Sequence, residues 1–345
     1  MAIAGGLSMA EAGGRSAAVA SRRPKAARTR PVALVLRALG LGDLLTAVPA
    51  LRAIHRALPE HRLVLATPGW LTDLVALIGA VDEVHPVSGL KWFDYPAPDV
   101  AVNLHGCGPR SHQVLDRLRP GVLIGFRCAG FPGPPWRDDE HEVDRWCRLV
   151  GSTLGGRPQP GDLALSRPDV PAPVSGAVVI HPGAAYPARR WPPERFAMVA
   201  RELAGVGPVV ITGSRAEFPL VNRVRQLAGL PESAVLAGRT SLRRLAALVA
   251  DARLVICGDT GVAHLASAYR TPSVVLCGPI SPALWGPPPD GPHVALWHGA
   301  RDVDDTHTDW RGDPHGDQPD PALLAISPAE VIRAAGDLLL QPAAR

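Results

Sequence analysis

Residues Leu254 to His264 constrain this chain more than any other stretch. The apolar run Leu254-Val255-Ile256-Cys257 ends in a polar, glycine-flanked turn, Gly258-Asp259-Thr260-Gly261, and a helical pattern begins at once. A short apolar run followed by a turn and a helix is the unit from which parallel sheets are built, and such sheets bind ligands at the strand ends. Free N–H groups at a helix start, with the positive end of its dipole, suit an anionic group such as a diphosphate. Thr260 and His264 stand four residues apart, so hydroxyl and imidazole share one helical face.

The same alternation runs through the chain twice. Val32-Ala33-Leu34-Val35-Leu36 reads as a buried strand, followed by a Gly40/Gly42 turn and an amphipathic helix over about 43–58. Strand-like runs follow near 62–66, 81–87, 100–104 and 122–126, with helical segments near 70–78 and 109–118. After the Pro/Gly-rich segment Phe131-Pro132-Gly133-Pro134-Pro135, a polar helix near 138–154 and a loose stretch over 156–176, the pattern restarts. It reads strand 177–181, helix 192–205, strand 208–212, helices 216–228 and 241–250, strand 253–257, helix 260–268 and strand 273–277. The fold class is therefore α/β, with two doubly wound, Rossmann-like domains facing an interdomain cleft. The expected division is a basic tail over 1–30, an N-terminal domain over 31–170, a C-terminal domain over 171–326, and a terminal segment over 327–345. The helix in that last segment opens with the cap-like Ser327-Pro328-Ala329-Glu330 and is expected to pack back on the first domain.

Composition supports a globular chain and narrows its partners. The 345 residues are 46% hydrophobic and 20% charged, enough for two cores, and no apolar run approaches the ~20 residues that cross a bilayer. The formal charge of +4 comes from the tail, where Arg15, Arg22, Arg23, Lys25, Arg28 and Arg30 oppose Glu11 alone for +5, and the remaining chain is −1. A nucleic-acid-binding fold would carry its basic stripe on a folded face, so no nucleic-acid partner is expected. The tail lacks the apolar core of a secretory signal and reads as disordered, or as an arm for an anionic membrane surface. The five cysteines show no C-x-x-C spacing, which argues against zinc and against a disulfide framework.

If ligand chemistry sits on strand-end loops, the candidates can be named. In the first half, Arg37-Ala38-Leu39-Gly40-Leu41-Gly42-Asp43 begins like a dinucleotide fingerprint but has Leu45 where the third glycine belongs. Asp43 is either a carboxylate at the cleft or the cap of its helix. In the second half, His181-Pro182-Gly183-Ala184-Ala185 follows a strand and Arg189-Arg190-Trp191-Pro192 opens a helix. The two guanidinium groups suit a diphosphate, or are simply solvated beside a proline-initiated helix. Trp191 reads as a packing residue. At the next strand end, Thr212-Gly213-Ser214-Arg215-Ala216-Glu217 offers Glu217 either to a ribose diol or to the first turn of its own helix.

Taken in order, Leu-Gly-Asp after the first strand, His-Pro-Gly with Arg-Arg-Trp-Pro at mid-chain, and Gly-Asp-Thr-Gly-x-x-His near the end resemble glycosyltransferase family 9, the heptosyltransferases, over about residues 31–340. The resemblance implies a GT-B architecture, with donor nucleotide on the C-terminal domain and acceptor on the N-terminal one. It places the catalytic base on Asp43, with Gly42 and Arg37 on the acceptor side. Donor phosphates would meet Arg189, with Arg190, Gly183, Ala184 and Ala185 beside it. Asp259, Thr260, Gly261 and His264 would line the donor site, and Glu217 with Gly213 would meet the ribose. The expected reaction is inverting and metal-independent, needs no cofactor, and moves a sugar from a nucleoside diphosphate donor, with ADP-heptose favoured. The acceptor would be a hydroxyl of a glycan, glycolipid or small molecule. The implied setting is cytoplasmic, with peripheral contact at the inner membrane face. A nucleotide-sugar epimerase and a non-catalytic nucleotide-sugar binding protein are the alternatives. Relatives often carry hydroxyl residues where Ala184 and Ala185 stand. The acidic segment from Arg301 to Asp320, with its Asp302-x-Asp304, reads as a solvated loop rather than a metal site.

Overall fold

Ten strands form two all-parallel sheets, each with both faces covered, in a computed structural model that describes residues 30–299 and 312–340. Apart from Arg30, the basic tail lies outside the described residues, as do Asp302 and Asp304. Within Pro31–Arg345, one compact unit, the first sheet has the order β3-β2-β1-β4-β5. Its strands are β1 (Val32–Leu36), β2 (Arg62–Thr67), β3 (Glu83–Pro86), β4 (Val100–Asn103) and β5 (Val122–Ile124). The second sheet has the order β10-β9-β8-β6-β7. It comprises β6 (Val178–His181), β7 (Val209–Ile211), β8 (Leu254–Gly258), β9 (Ser273–Leu276) and β10 (His293–Leu296). In each sheet the strand order reverses at one point, between β1 and β4 in the first and between β6 and β8 in the second. Loops leaving neighbouring strands in opposite directions open a crevice there.

The helices of the first half are α1 (Leu41–Thr46), α2 (Val48–Ala57), α3 (Thr72–Val75), α4 (Arg110–Asp116) and α5 (Glu142–Leu154). Those of the second half are α6 (Pro193–Leu203), α7 (Phe218–Ala228), α8 (Leu242–Asp251), α9 (Gly261–Tyr269), α10 (Pro282–Trp285), α11 (Pro321–Ala325) and α12 (Pro328–Leu340). The helix expected over 43–58 is two helices broken at Ala47. Pro49, in the first turn of α2, has no N–H to give the Leu45 carbonyl and crowds it, so the chain restarts there. The segment near 138–154 turns helical only at Glu142, where the His141 imidazole accepts the Val143 N–H.

Alternate residues of β1 serve different cores. Ala33 and Val35 join a cluster with Leu51, Ile54 and Trp146, while Leu34 and Leu36 face Val114 and Leu115 on the other side. The first of these clusters does not stop at the first sheet. It continues through Leu45 and Val262 into Val179, Val255 and Leu248, so the two sheets share one apolar interior. A third cluster covers the far face of the second sheet, and α12 belongs to it through Val331, Ala334, Ala335 and Leu338, packed with Phe196, Val274 and Leu276. The terminal helix thus covers the second sheet beside α6 and does not reach back to the first domain as expected. Its apolar stripe completes a face that α6 and α7 leave open.

The start of α12 is a reciprocal cap. The Ser327 Oγ accepts the Glu330 N–H at 3.3 Å, and the Glu330 carboxylate accepts the Ser327 N–H at 2.8 Å. Hydrogen bonds from the Ser327 backbone and hydroxyl hold the Glu330 carboxyl down at about 2. Ser327→Ala is expected to cost about 1 kcal/mol in urea denaturation at pH 7. A carboxyl held low in the folded state stabilises fully above its ordinary range and loses that contribution as pH falls toward about 2. The difference between wild type and Ser327→Ala should therefore shrink between pH 5 and pH 2 (~3 units of acidification).

Candidate active site

A cavity of about 430 Å³ lies where the two switch points face one another. Asp43 reaches it from α1, just beyond β1, and Ala184, Ala185 and Arg189 from the loop after β6. Glu217 comes from the loop after β7, and Asp259, Thr260, Gly261 and His264 from the β8 turn and α9. Gly42 lines it too, so ten of the residues singled out from the sequence meet around one space.

Their meeting depends on how closely α1 and α9 cross. A Cβ on Gly42 would lie 2.8 Å from the His264 Cδ2, and one on Gly261 would lie 2.7 Å from the Leu41 side chain. Each helix carries a glycine where the other's side chain passes. Gly42→Ala is expected to force these helices apart and lower stability by about 1–3 kcal/mol, read as a fall in melting temperature. A melting temperature equal to wild type would show that the crossing tolerates a methyl group.

Asp43 is held from both sides. Its Oδ2 accepts the Gly40 N–H at 3.1 Å, and its Oδ1 stands 3.7 Å from the Arg37 Nη2. Arg37 does not line the cavity, contrary to the expected acceptor-side contact: its side chain is fully buried. The guanidinium donates to the Asp43 carbonyl at 2.8 Å, to the Leu104 carbonyl, to the Thr46 hydroxyl at 3.2 Å and to Glu142 at 3.0 Å, and it lies over the Trp146 ring. With four of its five N–H donors engaged and its side chain wholly buried, Arg37 positions α1 and does not meet a substrate. Glu142 also pairs with Arg145 and accepts the Trp146 Nε1–H. These partners overcome burial and hold its carboxyl below the usual carboxylate range.

On the opposite wall, burial dominates the titration of Asp259 and pushes its carboxyl above the ordinary value against the pull of His264 and Arg189, with Asp43 adding to the push. The His264 Nε2 lies 4.0 Å from Asp259, and burial lowers its basicity although Asp259 opposes the shift. Both groups are thus driven toward their neutral forms, which lessens the repulsion of an anion by Asp259 and leaves its attraction to Arg189 and the start of α9 rather than to His264. Two donors at this wall stand ready for a ligand. The Arg189 Nε and the Thr260 Oγ1 are buried without a hydrogen-bond partner, and Thr260 is the N-cap of α9 without using its hydroxyl to cap it.

The remaining sequence candidates sit one layer back. The Arg190 Nε donates to the Ala184 carbonyl at 2.9 Å, which fixes the loop and turns Arg190 away from the cavity lining. Gly183 makes room for Glu217, since a Cβ there would lie 2.0 Å from its Oε1, and Gly213 sits behind the Glu217 Cβ. The Glu217 Oε2 accepts the Ser214 N–H at 2.7 Å, so the carboxylate serves its own turn while also lining the cavity. Trp191 is a packing residue, buried against Phe196 with its Nε1–H donated to the Ile326 carbonyl. Reading the strand ends missed Ile280, which lines the cavity from the loop after β9, and Trp285, which lines it from the end of α10. The signal was the Gly278-Pro279-Ile280-Ser281-Pro282 turn at that strand's end.

Two facing Rossmann-like sheets with a cavity between their switch points define a GT-B glycosyltransferase architecture. The family model for glycosyltransferase family 9 (heptosyltransferase) matches residues 134–298. Lipopolysaccharide heptosyltransferase 1 of Salmonella typhimurium is 26% identical over 294 residues, covering 73% of this chain and 90% of that protein. Among solved structures, a family 9 glycosyltransferase from Veillonella parvula aligns with a TM-score of 0.71 at 21% identity, over 91% of this chain and 98% of that one. The ADP-heptose lps heptosyltransferase II of E. coli aligns with a TM-score of 0.69 at 22% identity, over 90% and 99% of the two chains. These matches make the chain similar to glycosyltransferase family 9 and support a glycosyltransferase. An epimerase is not favoured.

Proposed function

We propose that the protein transfers a sugar, heptose from ADP-heptose being favoured, to a hydroxyl of a glycan, glycolipid or small-molecule acceptor by a single inverting displacement without a metal ion. One observation carries this reading: the Asp43 carboxylate and the Arg189 guanidinium line the same 430 Å³ cavity, one from each sheet. The choice of donor is supported by the E. coli relative, an ADP-heptose enzyme, and by the orphaned donors of Arg189 and Thr260, which suit diphosphate oxygens. A glycan of the lipopolysaccharide core, the acceptor class that the Salmonella relative's name points to, is one candidate acceptor.

The chemistry follows from these groups. An alcohol is a weak nucleophile at neutral pH, and Asp43 takes its proton as the oxygen attacks the anomeric carbon of the donor. The bond from that carbon to the diphosphate breaks on the opposite side, and its electron pair leaves with the nucleoside diphosphate. Arg189 and the N-terminus of α9 stabilise the growing charge. Glu217 receives the ribose hydroxyls. Attack and departure on opposite faces invert the anomeric configuration.

Asp43→Ala should lower the transfer rate by at least ~100-fold while ADP still binds, as measured by calorimetry; near-normal turnover would remove Asp43 from the role of base. Arg189→Ala should weaken ADP binding by about tenfold or more, and a dissociation constant equal to wild type would show that the phosphates rest elsewhere.

A further inference from the structure

The crossing of α1 and α9 has two sides. The starts of the two helices, with Asp43 and Gly261, face the cavity between the sheets, while Leu45 and Thr46 of α1 and Ser267 and Ala268 of α9 face a separate cavity of about 430 Å³. His264 stands between the two spaces and lines both. The groups assigned to the transfer reaction, Asp43, Arg189 and Asp259, do not reach the separate cavity. Its lining is apolar and poor in hydrogen-bond donors. Leu45, Val143, Leu163 and Ala268 supply hydrocarbon, and Pro160, Pro282, Pro287, Pro288 and Pro289 supply ring faces without an N–H. The Thr46 hydroxyl donates to the Asp43 carbonyl at 3.0 Å, and the Ser267 hydroxyl to the Ala263 carbonyl at 3.2 Å. The His141 Nδ1 accepts the Val143 N–H, so its ring proton sits on Nε2 and is donated to the Gly286 carbonyl at 3.1 Å.

The fixed charges of this lining are carboxylates. Among the described residues no lysine or arginine lines the cavity, and burial drives His264 toward its neutral form. Asp290 is answered by Arg270, whose Nη1 lies 3.6 Å from its Oδ2. Asp144, exposed in the first turn of α5, makes no hydrogen bond or ion pair among the described residues. An anion entering here would find no cation. An ammonium group would find the free Asp144 carboxylate, and an apolar body attached to it would leave water for the leucine and proline walls. A mostly apolar cavity of this size with one free polar group at its edge has the make-up of a small-molecule site.

We propose that this cavity is a ligand site apart from the substrate site, and that it takes a compact apolar molecule bearing an ammonium group, the body against Leu45, Leu163 and the prolines and the ammonium on Asp144. The crossing of α1 and α9 separates the two spaces, so such a ligand binds together with the donor nucleotide and does not compete with it. It would rest against Thr46 and His264 from behind without touching Asp43. The site does not depend on the transferase reading.

Ligand-observed NMR titrations on the full chain, with and without saturating ADP, test this with 1-aminoadamantane, 1-adamantanol and 1-adamantanecarboxylate, which share one apolar body and differ in charge. The amine is expected to bind about threefold more tightly than the alcohol and about tenfold more tightly than the carboxylate, the scale of an exposed ion pair. Asp144→Asn should bring the amine level with the alcohol and leave the alcohol as it was. Ala283→Trp, an exposed change in the wall of this cavity and outside the lining of the other, should weaken all three probes by roughly tenfold or more while ADP binds as in wild type. No binding by any probe, a carboxylate held as tightly as the amine, a preference that survives Asp144→Asn, or displacement of the amine by ADP would each overturn the proposal. So would an Ala283→Trp chain that melts like wild type and binds the probes unchanged; if that variant fails to fold, Asp144→Asn decides. If ADP itself does not bind, the donor reading falls, while the series recorded without ADP still decides this site.

Discussion

The crossing of α1 over α9 is the contact on which the site depends. Two parallel sheets can each build a ligand crevice alone, but a transfer reaction needs both crevices to open on one space. Here the helices that leave β1 and β8 touch through Gly42 and Gly261, with Leu41 and His264 filling the room each glycine leaves. That contact brings Asp43 into the same cavity as Asp259 and Arg189. It also carries the apolar interior of the first sheet into the second through Leu45 and Val262, so separating the walls would expose buried side chains. The geometry of the site and the packing of the interior are thus one constraint.

A second layer of order comes from charges that never meet solvent. Arg37 and Glu142 form a buried pair, and burying two ions costs more than their attraction returns unless the remaining donors and acceptors are satisfied. Backbone carbonyls, the Thr46 hydroxyl and the Trp146 indole fill most of those roles. The result is a rigid mount joining the end of β1, the start of α5 and the first turn of α1. Asp43 gains its orientation from this mount, through its own backbone carbonyl as much as through its carboxylate. Losing Glu142 would leave the buried Arg37 guanidinium with only the more distant Asp43 carboxylate to answer it.

Sequence reading was most successful where one strand or one helix carried the signal. Parallel strands buried on both faces are continuous apolar runs, and β1, β6 and β8 are legible for that reason. The candidate loops stood at their ends, so Asp43, Arg189, Thr260 and His264 could be placed without knowing the sheet order. Failures came where the deciding fact was tertiary. β10 is half-buried and carries the polar His293 at its start, so it has no clear apolar run. The stripe of α12 fits either domain by pattern, and only the open face beside α6 decides between them. A smaller cavity of about 280 Å³, which shares Asp43 with the one between the sheets, was illegible because its walls come from α1, from the end of β4, from a proline-rich loop around Trp136, from α5 and from the loop after β9 with α10. Arg37 was expected on the acceptor side because sequence cannot show that Glu142, more than a hundred residues away, lies waiting for it.

The placement of charged groups around the cavity between the sheets bears on the proposed reaction. On the donor side the free polar groups are the Arg189 guanidinium, an uncommitted hydroxyl and a helix N-terminus, while burial drives Asp259 and His264 toward neutrality. At the opposite wall stands the Asp43 carboxylate, oriented by Arg37 and the Gly40 N–H. Glycosyl transfer by displacement separates charge along one line: the incoming oxygen loses a proton, and the leaving diphosphate gains an electron pair. A site that holds the Asp43 carboxylate at the first end and the Arg189 guanidinium at the second is polarised along that line before substrate arrives.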